Sequence, residues 1–216
     1  RVKKEKADIG LAFDGDADRC FLINEKGELV NPSALTSLIA VHQLKTKPGS
    51  TIIYNLISSK AVSEVIAENG GIGVRSRVGH SYIKSLMAES GAIFGGEHSG
   101  HFYFSNFWRA DSGMLAALYA LTELMATKNT LSELLKPFNR YVASGEINSK
   151  VKNAEKSIEL IRKKYCDKYL VDDLDGLTIT ADNWWFNLRP SNTEPLLRLN
   201  VEADTEKEMV KIRDTV

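Results

Sequence analysis

The chain has 216 residues, 43% apolar and 26% charged, with 28 lysines and arginines balanced by 28 aspartates and glutamates. That is the composition of a folded globular protein, large enough for one large domain or two small ones. The zero net charge excludes a global field that would gather nucleic acid or an anionic membrane, so any anion must be held by a local site.

No apolar run approaches the roughly 20 residues that span a bilayer, and no membrane contact is expected. The opening Arg1-Val2-Lys3-Lys4-Glu5-Lys6 lacks the apolar stretch of a signal peptide. It reads as the end of a helix entered midway, which leads us to expect a fragment. Cys20 and Cys166 stand far apart in no metal-like spacing, as reduced thiols of a cytoplasmic protein do.

Residues 8–13 predict a buried strand that delivers Asp14-Gly15-Asp16-Ala17-Asp18-Arg19. A second strand, 20–24, leads through Glu25-Lys26-Gly27-Glu28 into Leu29-Val30 as a hairpin. Three carboxylates at alternate positions between two apolar runs are poorly solvated and repel one another, so they call for a cation. Their all-oxygen chemistry favours Mg²⁺ or Ca²⁺ over zinc. The spacing also fits the start of an EF-hand loop, with Glu25 at its twelfth position. Against that, Arg19 stands at the sixth position, where a glycine is needed, and the flanks read as strands rather than helices. A solvated acidic turn is the plainer alternative.

Pro32 opens a helix with Leu35, Leu38 and Ile39 at helical spacing, ended by Lys47-Pro48-Gly49. A strand at 51–56 precedes a helix that buries Ala61, Val62, Val65 and Ile66 and closes at Asn69-Gly70-Gly71. The pattern repeats with a strand at 73–77, a helix at 81–90 facing inward through Ile83, Leu86 and Met87, and a strand at 92–95. Such units imply right-handed crossovers and a mostly parallel sheet with helices on both faces, an α/β fold. Asp111 is expected to cap a helix whose inner stripe is Met114, Leu115, Leu118, Leu121 and Met125. Thr130-Leu131-Ser132-Glu133 is a capping box for a helix that Pro137 ends.

Beyond Phe138 the texture changes. A strand at 141–151, a helix through Ile158, Ile161 and Tyr165, and strands at 177–181, 184–188 and 196–203 describe a smaller α+β domain. Thr205-Glu206-Lys207-Glu208 is a second capping box, opening a helix with Met209, Ile212 and Val216 inward.

Three further stretches carry chemistry. Gly95-Gly96-Glu97-His98-Ser99-Gly100-His101 offers a carboxylate, a hydroxyl and imidazoles on a closely approaching backbone, a set suited to vicinal sugar hydroxyls. The alternative is a glycine-rich turn facing water, and His98 reads as solvated. Arg189-Pro190-Ser191-Asn192-Thr193-Glu194-Pro195 carries the donors a phosphate dianion requires, although these residues also make ordinary turns. Arg77-Val78-Gly79-His80-Ser81 puts His80 at a helix N-terminus, which lowers an imidazole's pKa and suits phosphate contact or proton transfer. A surface histidine in a plain capping region is the alternative there.

In this order and at these spacings, DGDADR, RVGHS, GEHSGH and RPSNTEP resemble the metal, contact, sugar-binding and phosphate-binding loops of the α-D-phosphohexomutases. The bacterial phosphomannomutase/phosphoglucomutases are the nearest in pattern. The resemblance covers essentially the whole chain. It implies the end of a preceding α/β domain at 1–31, an α/β domain at 32–138 and an α+β domain at 139–216, with N-terminal domains of the same chain missing. By that resemblance Asp14, Asp16 and Asp18 would bind Mg²⁺, with Arg19 beside the phosphoryl group in transfer. Glu97 and Ser99 would hold sugar hydroxyls, and His80 and His101 would carry protons or touch phosphate. Arg189, Ser191, Asn192 and Thr193 would grip the non-reacting phosphate.

The implied reaction interconverts hexose 1-phosphate and hexose 6-phosphate, of mannose or glucose, through a phosphoserine and a hexose bisphosphate. The family's phosphoserine sits in a Thr-Ala-Ser-His-Asn-Pro-like loop, and no such loop occurs here. The chain alone is therefore expected to be inactive. The other reading is a non-catalytic module that binds a cation or a sugar phosphate with the same loops.

Overall fold

The computed structural model describes residues 1–191 and 195–216. A short helix, α1 (Val2–Glu5), precedes a hairpin of β1 (Ile9–Phe13) and β2 (Cys20–Asn24). The two strands pair antiparallel from Ile9 opposite Asn24 to Phe13 opposite Cys20. The expectation that residues 8–13 form a buried strand is corrected here. Among the described residues β1 pairs only with β2, in a two-stranded sheet, and Leu11 and Phe13 stay 38% and 37% exposed.

Asn31 caps α2 (Pro32–Thr46) by accepting from the Ser33 N–H, and Pro32 occupies the first turn, where no N–H is missed. There follow β3 (Thr51–Asn55), α3 (Lys60–Glu68), β4 (Ile72–Ser76), α4 (His80–Ser90), β5 (Phe94–Gly96), β6 (Phe102–Phe104) and β7 (Ala110–Asp111). These strands form one sheet in the order β4-β3-β5-β6-β7. β3 runs parallel to β4 and β5, whereas β6 is antiparallel to both β5 and β7. All the strands except β6 therefore share one direction, and the sheet is mostly parallel.

Alternation along the strands divides the core between two faces. Ile52, Phe94, Phe102 and Phe104 pack with Leu35, Ile39, Val62 and Ile66 of α2 and α3. Ile53 and Tyr103 meet Ile83 and Met87 of α4 on the other side. Each such fully buried aliphatic side chain contributes about 1.5–3 kcal/mol. Helices thus cover both faces, as the sequence pattern predicts.

α5 (Gly113–Met125) and α6 (Leu131–Leu135) complete this part. Two expectations about α5 fail. Its cap is Ser112, which accepts from the Leu115 N–H, while Asp111 lies in β7. Its buried side is Gly113, Ala116, Ala117 and Ala120, whereas Met114, Leu118 and Met125 are 54%, 56% and 84% exposed. α5 packs against α2 and β2, and only small residues let a helix backbone approach that closely. The Thr130 capping box forms with both of its hydrogen bonds. Arg140 forks onto Glu68, with two contacts of 2.6 Å, and reaches Glu64 at 3.1 Å.

The chain divides into two compact units, Arg1–Arg140 and Tyr141–Val216. The second contains β8 (Val142–Lys150), α7 (Ala154–Tyr165), β9 (Leu170–Asp172), β10 (Leu177–Thr180), β11 (Trp184–Pro190), β12 (Leu196–Ala203) and α8 (Glu206–Thr215). Its five strands form an antiparallel sheet in the order β8-β12-β11-β10-β9. One face carries Leu177, Ile179, Phe186, Leu188, Leu199 and Val201 against Tyr165, Met209 and Ile212 of the helices. The other face is polar and equally buried, with Thr178, Asn187, Arg189, Asn200 and Glu202. Thr205 caps α8 by accepting from the Glu208 N–H, while the Glu208 carboxylate accepts from Asn183 at 2.6 Å. No helix among the described residues is long and apolar enough to cross a membrane.

Candidate active site

The acidic loop joins β1 to β2, and its shape is held by the chain itself. Ala17 adopts a left-handed φ of 60°, and its N–H donates to the Asp14 carbonyl at 3.3 Å. The Arg19 N–H and Nε donate to the two Asp14 carboxylate oxygens at 3.2 and 2.5 Å. Oxygens of Asp14, Asp16 and Asp18 converge to within 4.8 Å of one another. The flanks are strands, and the Glu25 carboxylate accepts from the Ser132 N–H and hydroxyl. The EF-hand geometry is therefore absent, since its twelfth-position ligand is engaged elsewhere.

Two contacts moor the loop to the rest of the first unit. The Cys20 N–H donates to the Gly100 carbonyl at 3.0 Å, and the Gly113 N–H to the Ala17 carbonyl at 3.2 Å. A β-carbon at Gly113 would lie 2.5 Å from the Arg19 carbonyl oxygen and 2.9 Å from that of Ala17. Both obstacles are backbone, so neither can rotate aside. Gly113→Ala is expected to lower stability by about 1–3 kcal/mol and to weaken cation binding with it. Chemical denaturation checks this, and an unchanged midpoint would mean that the loop yields freely.

The charges of the three aspartates are uneven. The Arg19 hydrogen bond holds the Asp14 carboxyl below the usual range. Burial pushes Asp18 up, His101 opposes the rise, and the neighbouring charges of Asp14 and Asp16 add to it. Asp18 Oδ1 is buried and has no hydrogen-bond partner among the described residues. A carboxylate oxygen without a hydrogen bond among the described residues, 3.9 Å from Arg19 Nε and facing two more carboxylates, with no imidazole or thiolate in the set, fits a hard divalent cation such as Mg²⁺.

The glycine-rich loop lies beside this triad, between β5 and β6. Glu97 and His101 close it as a turn, the Glu97 N–H donating to the His101 carbonyl at 2.9 Å, with Gly100 at a φ of 88°. His101 connects the two loops. Its Nε2 is 3.6 Å from Asp18 Oδ2, its Nδ1 is 2.8 Å from Ser99 Oγ, and Nδ1 also lies 3.6 Å from Glu97 Oε2. His98 is half-buried rather than solvated.

Glu97 is only 2% exposed. Its Oε1 accepts from the Gly79 N–H at 3.1 Å, and its Oε2 from the Tyr103 hydroxyl at 2.7 Å. Burial and the Glu97 charge raise the Tyr103 pKa, so the phenol stays a donor. Gly79 caps α4, and His80 is exposed on the first turn of that helix, its ring centroid 6.2 Å from that of His101. Asp14, Asp16, Asp18, Arg19, Glu97, Ser99, His80 and His101 are thus gathered in the first unit.

Sequence reasoning missed Tyr103, which sits in an aromatic run, and Lys84, whose Nζ lies 2.8 Å from Asp111 Oδ1. The signal for Tyr103 was present, because a phenol amid phenylalanines in a buried strand needs a partner for its hydroxyl.

In the second unit, Arg189 and Ser191 are described, whereas Asn192 and Thr193 lie outside the described residues. Arg189 is 5% exposed, and its Nη2 donates to Glu146 Oε2 at 3.0 Å. Burial pulls its pKa down, while the Glu146 charge opposes the fall. Opposite it in the sheet stands Arg198, another residue missed from sequence. Its Nη2 donates to Ser191 Oγ at 3.2 Å, and its Nη1 lies 3.5 Å from Glu146 Oε1. Among the described residues, Arg189 Nε, Arg198 Nε and Asn200 Nδ2 are buried without a hydrogen-bond partner. These donors lie on neighbouring strands, Arg189 of β11 opposite Arg198 of β12 and Asn200 two residues further along β12.

Two family descriptions match the chain. "Phosphoglucomutase/phosphomannomutase, alpha/beta/alpha domain III" covers residues 31–141, and "Phosphoglucomutase/phosphomannomutase, C-terminal domain" covers residues 146–216. The chain is 48% identical to a phosphomannomutase of Methanocaldococcus jannaschii over 96% of its own length and 46% of that protein's. It is 41% identical to a phosphomannomutase of Escherichia coli K12 over 98% of its length and 47% of that relative's. The crystal structure of a phosphoglucomutase/phosphomannomutase family protein from Burkholderia thailandensis superposes with a TM-score of 0.88 at 31% identity, covering 99% of this chain and 46% of that one. The chain thus spans about half the length of the curated relatives it matches.

Proposed function

The chain belongs to the phosphoglucomutase/phosphomannomutase family, and from that membership we propose that it is the metal-, sugar- and phosphate-binding part of a cytoplasmic phosphohexomutase. The intact enzyme interconverts the 1-phosphate and 6-phosphate of mannose, glucose or both. A phosphoserine gives its phosphoryl group to one end of the hexose phosphate, the resulting bisphosphate turns end for end, and the opposite phosphate returns to serine. That serine belongs to a segment outside this chain, which is inactive by itself.

The observation that carries the reading is the junction at His101, whose ring faces Asp18 of the acidic loop on one side and Ser99 and Glu97 of the glycine loop on the other. It supports a reading in which the acidic loop would hold a cation beside a glycine loop that holds a polyol, as transfer to a sugar oxygen demands. Asp14, Asp16 and Asp18 would hold Mg²⁺, and the ion, when bound, draws charge from the phosphoryl group in transfer. Arg19 adds its own positive charge beside that group. Glu97 is anchored by Gly79 and Tyr103 through one lone pair of each oxygen, and the remaining lone pairs accept from two sugar hydroxyls. Ser99 donates or accepts beside it. His101 and His80 hold or move a proton at the hydroxyl that attacks.

The loop from Arg189 to Thr193 binds the phosphate that is not reacting. Support comes from Arg189 Nε, Arg198 Nε and Asn200 Nδ2, buried donors without a hydrogen-bond partner among the described residues, which an anion would satisfy. The loop meets a phosphate in either orientation of the sugar, so it cannot favour one substrate over the other. A charge-assisted arginine contact is worth about 1.5–3 kcal/mol, or about 10- to 150-fold in affinity. In the intact enzyme, Arg189→Ala should raise KM for the 1-phosphate and the 6-phosphate by similar factors and release more bisphosphate. Steady-state kinetics with each substrate decides the matter. Impairment with one substrate alone would show that the loop reads orientation, and impairment with neither would remove Arg189 from the site.

A further inference from the structure

A second cluster of cation ligands lies beside the aspartate triad, and its chemistry is different. Atoms of His80, His101 and Asp111 that can ligate a metal come within 4.8 Å of one another. The three residues reach this place from the first turn of α4, the start of β6 and the end of β7. We propose that His80, His101 and Asp111 form a site for a borderline transition metal such as Zn²⁺, different in its ligands from the all-oxygen site of Asp14, Asp16 and Asp18 that it adjoins, His101 Nε2 standing 3.6 Å from Asp18 Oδ2.

Two imidazoles and one carboxylate are the ligand set of tetrahedral zinc sites that keep an open position, and Mg²⁺ discriminates against such nitrogen donors. Two of the ligands are already oriented. The Ser99 hydroxyl holds the His101 ring at Nδ1, at 2.8 Å, and Lys84 holds Asp111 at 2.8 Å. Partners of that kind tune both the geometry and the affinity of a metal ligand. Ligand atoms of a tetrahedral zinc site stand about 3.4 Å apart, so a cluster whose ligand atoms lie within 4.8 Å of one another has at most about 1.4 Å to close. The exposed His80 ring can supply that movement by rotating inward from solvent. The Lys84 ammonium is the native counter-charge of Asp111. It bonds Asp111 Oδ1, so it can keep its hold while the other carboxylate oxygen ligates the metal.

Occupancy would remove His80 and His101 from the sugar phosphate and inhibit turnover. That consequence rests on the mutase reading, whereas binding of the metal does not.

Titrating Co²⁺, as a spectroscopic stand-in for Zn²⁺, into this chain in excess Mg²⁺ tests the proposal without reference to activity. The expected result is the visible absorption of a nitrogen-ligated, low-coordinate cobalt centre, reversed by Zn²⁺. His80→Ala and Asp111→Asn should each weaken binding more than about ten-fold, with Asp16→Asn having a much smaller effect. His80 is solvent-exposed, so its replacement leaves the packed core intact, and circular dichroism confirms the fold of each variant. The proposal is overturned if cobalt shows only the weak absorption of an oxygen-ligated ion, or if Asp16→Asn abolishes binding while His80→Ala leaves it untouched. If binding behaves as expected but Zn²⁺ fails to inhibit the intact enzyme, the site stands, and it is the role of the two histidines in turnover that fails.

Discussion

Asp16→Asn in the intact protein is expected to lower kcat of the proposed mutase reaction by more than about 100-fold, the usual scale for removing electrostatic stabilisation at a transferring group. The substitution keeps the shape of the side chain and deletes one of three convergent carboxylate charges. It should not unfold the protein. Asp18 is held above the normal carboxylate range by burial first and then by the charges of Asp14 and Asp16, so taking one of those charges away relieves repulsion within the loop. Loss of turnover together with an equal or higher melting temperature is therefore the signature of a cation site. Near-normal turnover in Mg²⁺ would sink the assignment of the triad.

Glu97→Gln should weaken binding of both the 1-phosphate and the 6-phosphate by about 1.5–3 kcal/mol, or about 10- to 150-fold. The amide replaces one acceptor with a donor in a buried place where both oxygens already accept, from Gly79 and from Tyr103. Tyr103 can turn its hydroxyl to accept instead, so the turn survives while a sugar hydroxyl loses its acceptor. Calorimetry on the intact enzyme measures the change. Unaltered affinity for both substrates would show that Glu97 only pins Gly79 and Tyr103 together.

What was legible in the sequence was local. Asp14, Asp16 and Asp18 fall in one six-residue stretch, and Glu97, Ser99 and His101 in another, so short-range chemistry singled out both stretches without knowledge of the fold, and the structure brings them side by side. The partners that fix those residues come from other elements. Gly79 caps α4, Tyr103 belongs to β6, and Gly113 opens α5, so each meets its loop only through the tertiary fold. Arg198 faces Arg189 because two strands pair antiparallel, which no spacing in the chain announces.

The errors in the helices and strands share a cause. Hydrophobicity ranks bulk, but α5 buries Ala116, Ala117 and Ala120 because its backbone approaches α2 and β2, which leaves Leu118 and Met125 outside. The apolar run ending at Phe13 resembles a central strand, yet a strand buries both faces only when neighbours and helices surround it. In the second unit the three residues of β9 (Leu170–Asp172) are too few to register as a pattern and are recruited by pairing with β10.

The central claim is that the acidic and glycine loops, joined at His101, serve phosphoryl transfer on a hexose. It is tested most directly by following mannose 1-phosphate and glucose 1-phosphate with the intact protein and Mg²⁺ by ³¹P nuclear magnetic resonance, with a trace of the matching hexose 1,6-bisphosphate. The account predicts that the 6-phosphate signal of at least one sugar grows to equilibrium, and that Asp16→Asn and Glu97→Gln both slow its growth. A folded intact protein that binds these phosphates yet converts neither sugar in either direction would contradict it, leaving a binding module with no chemistry.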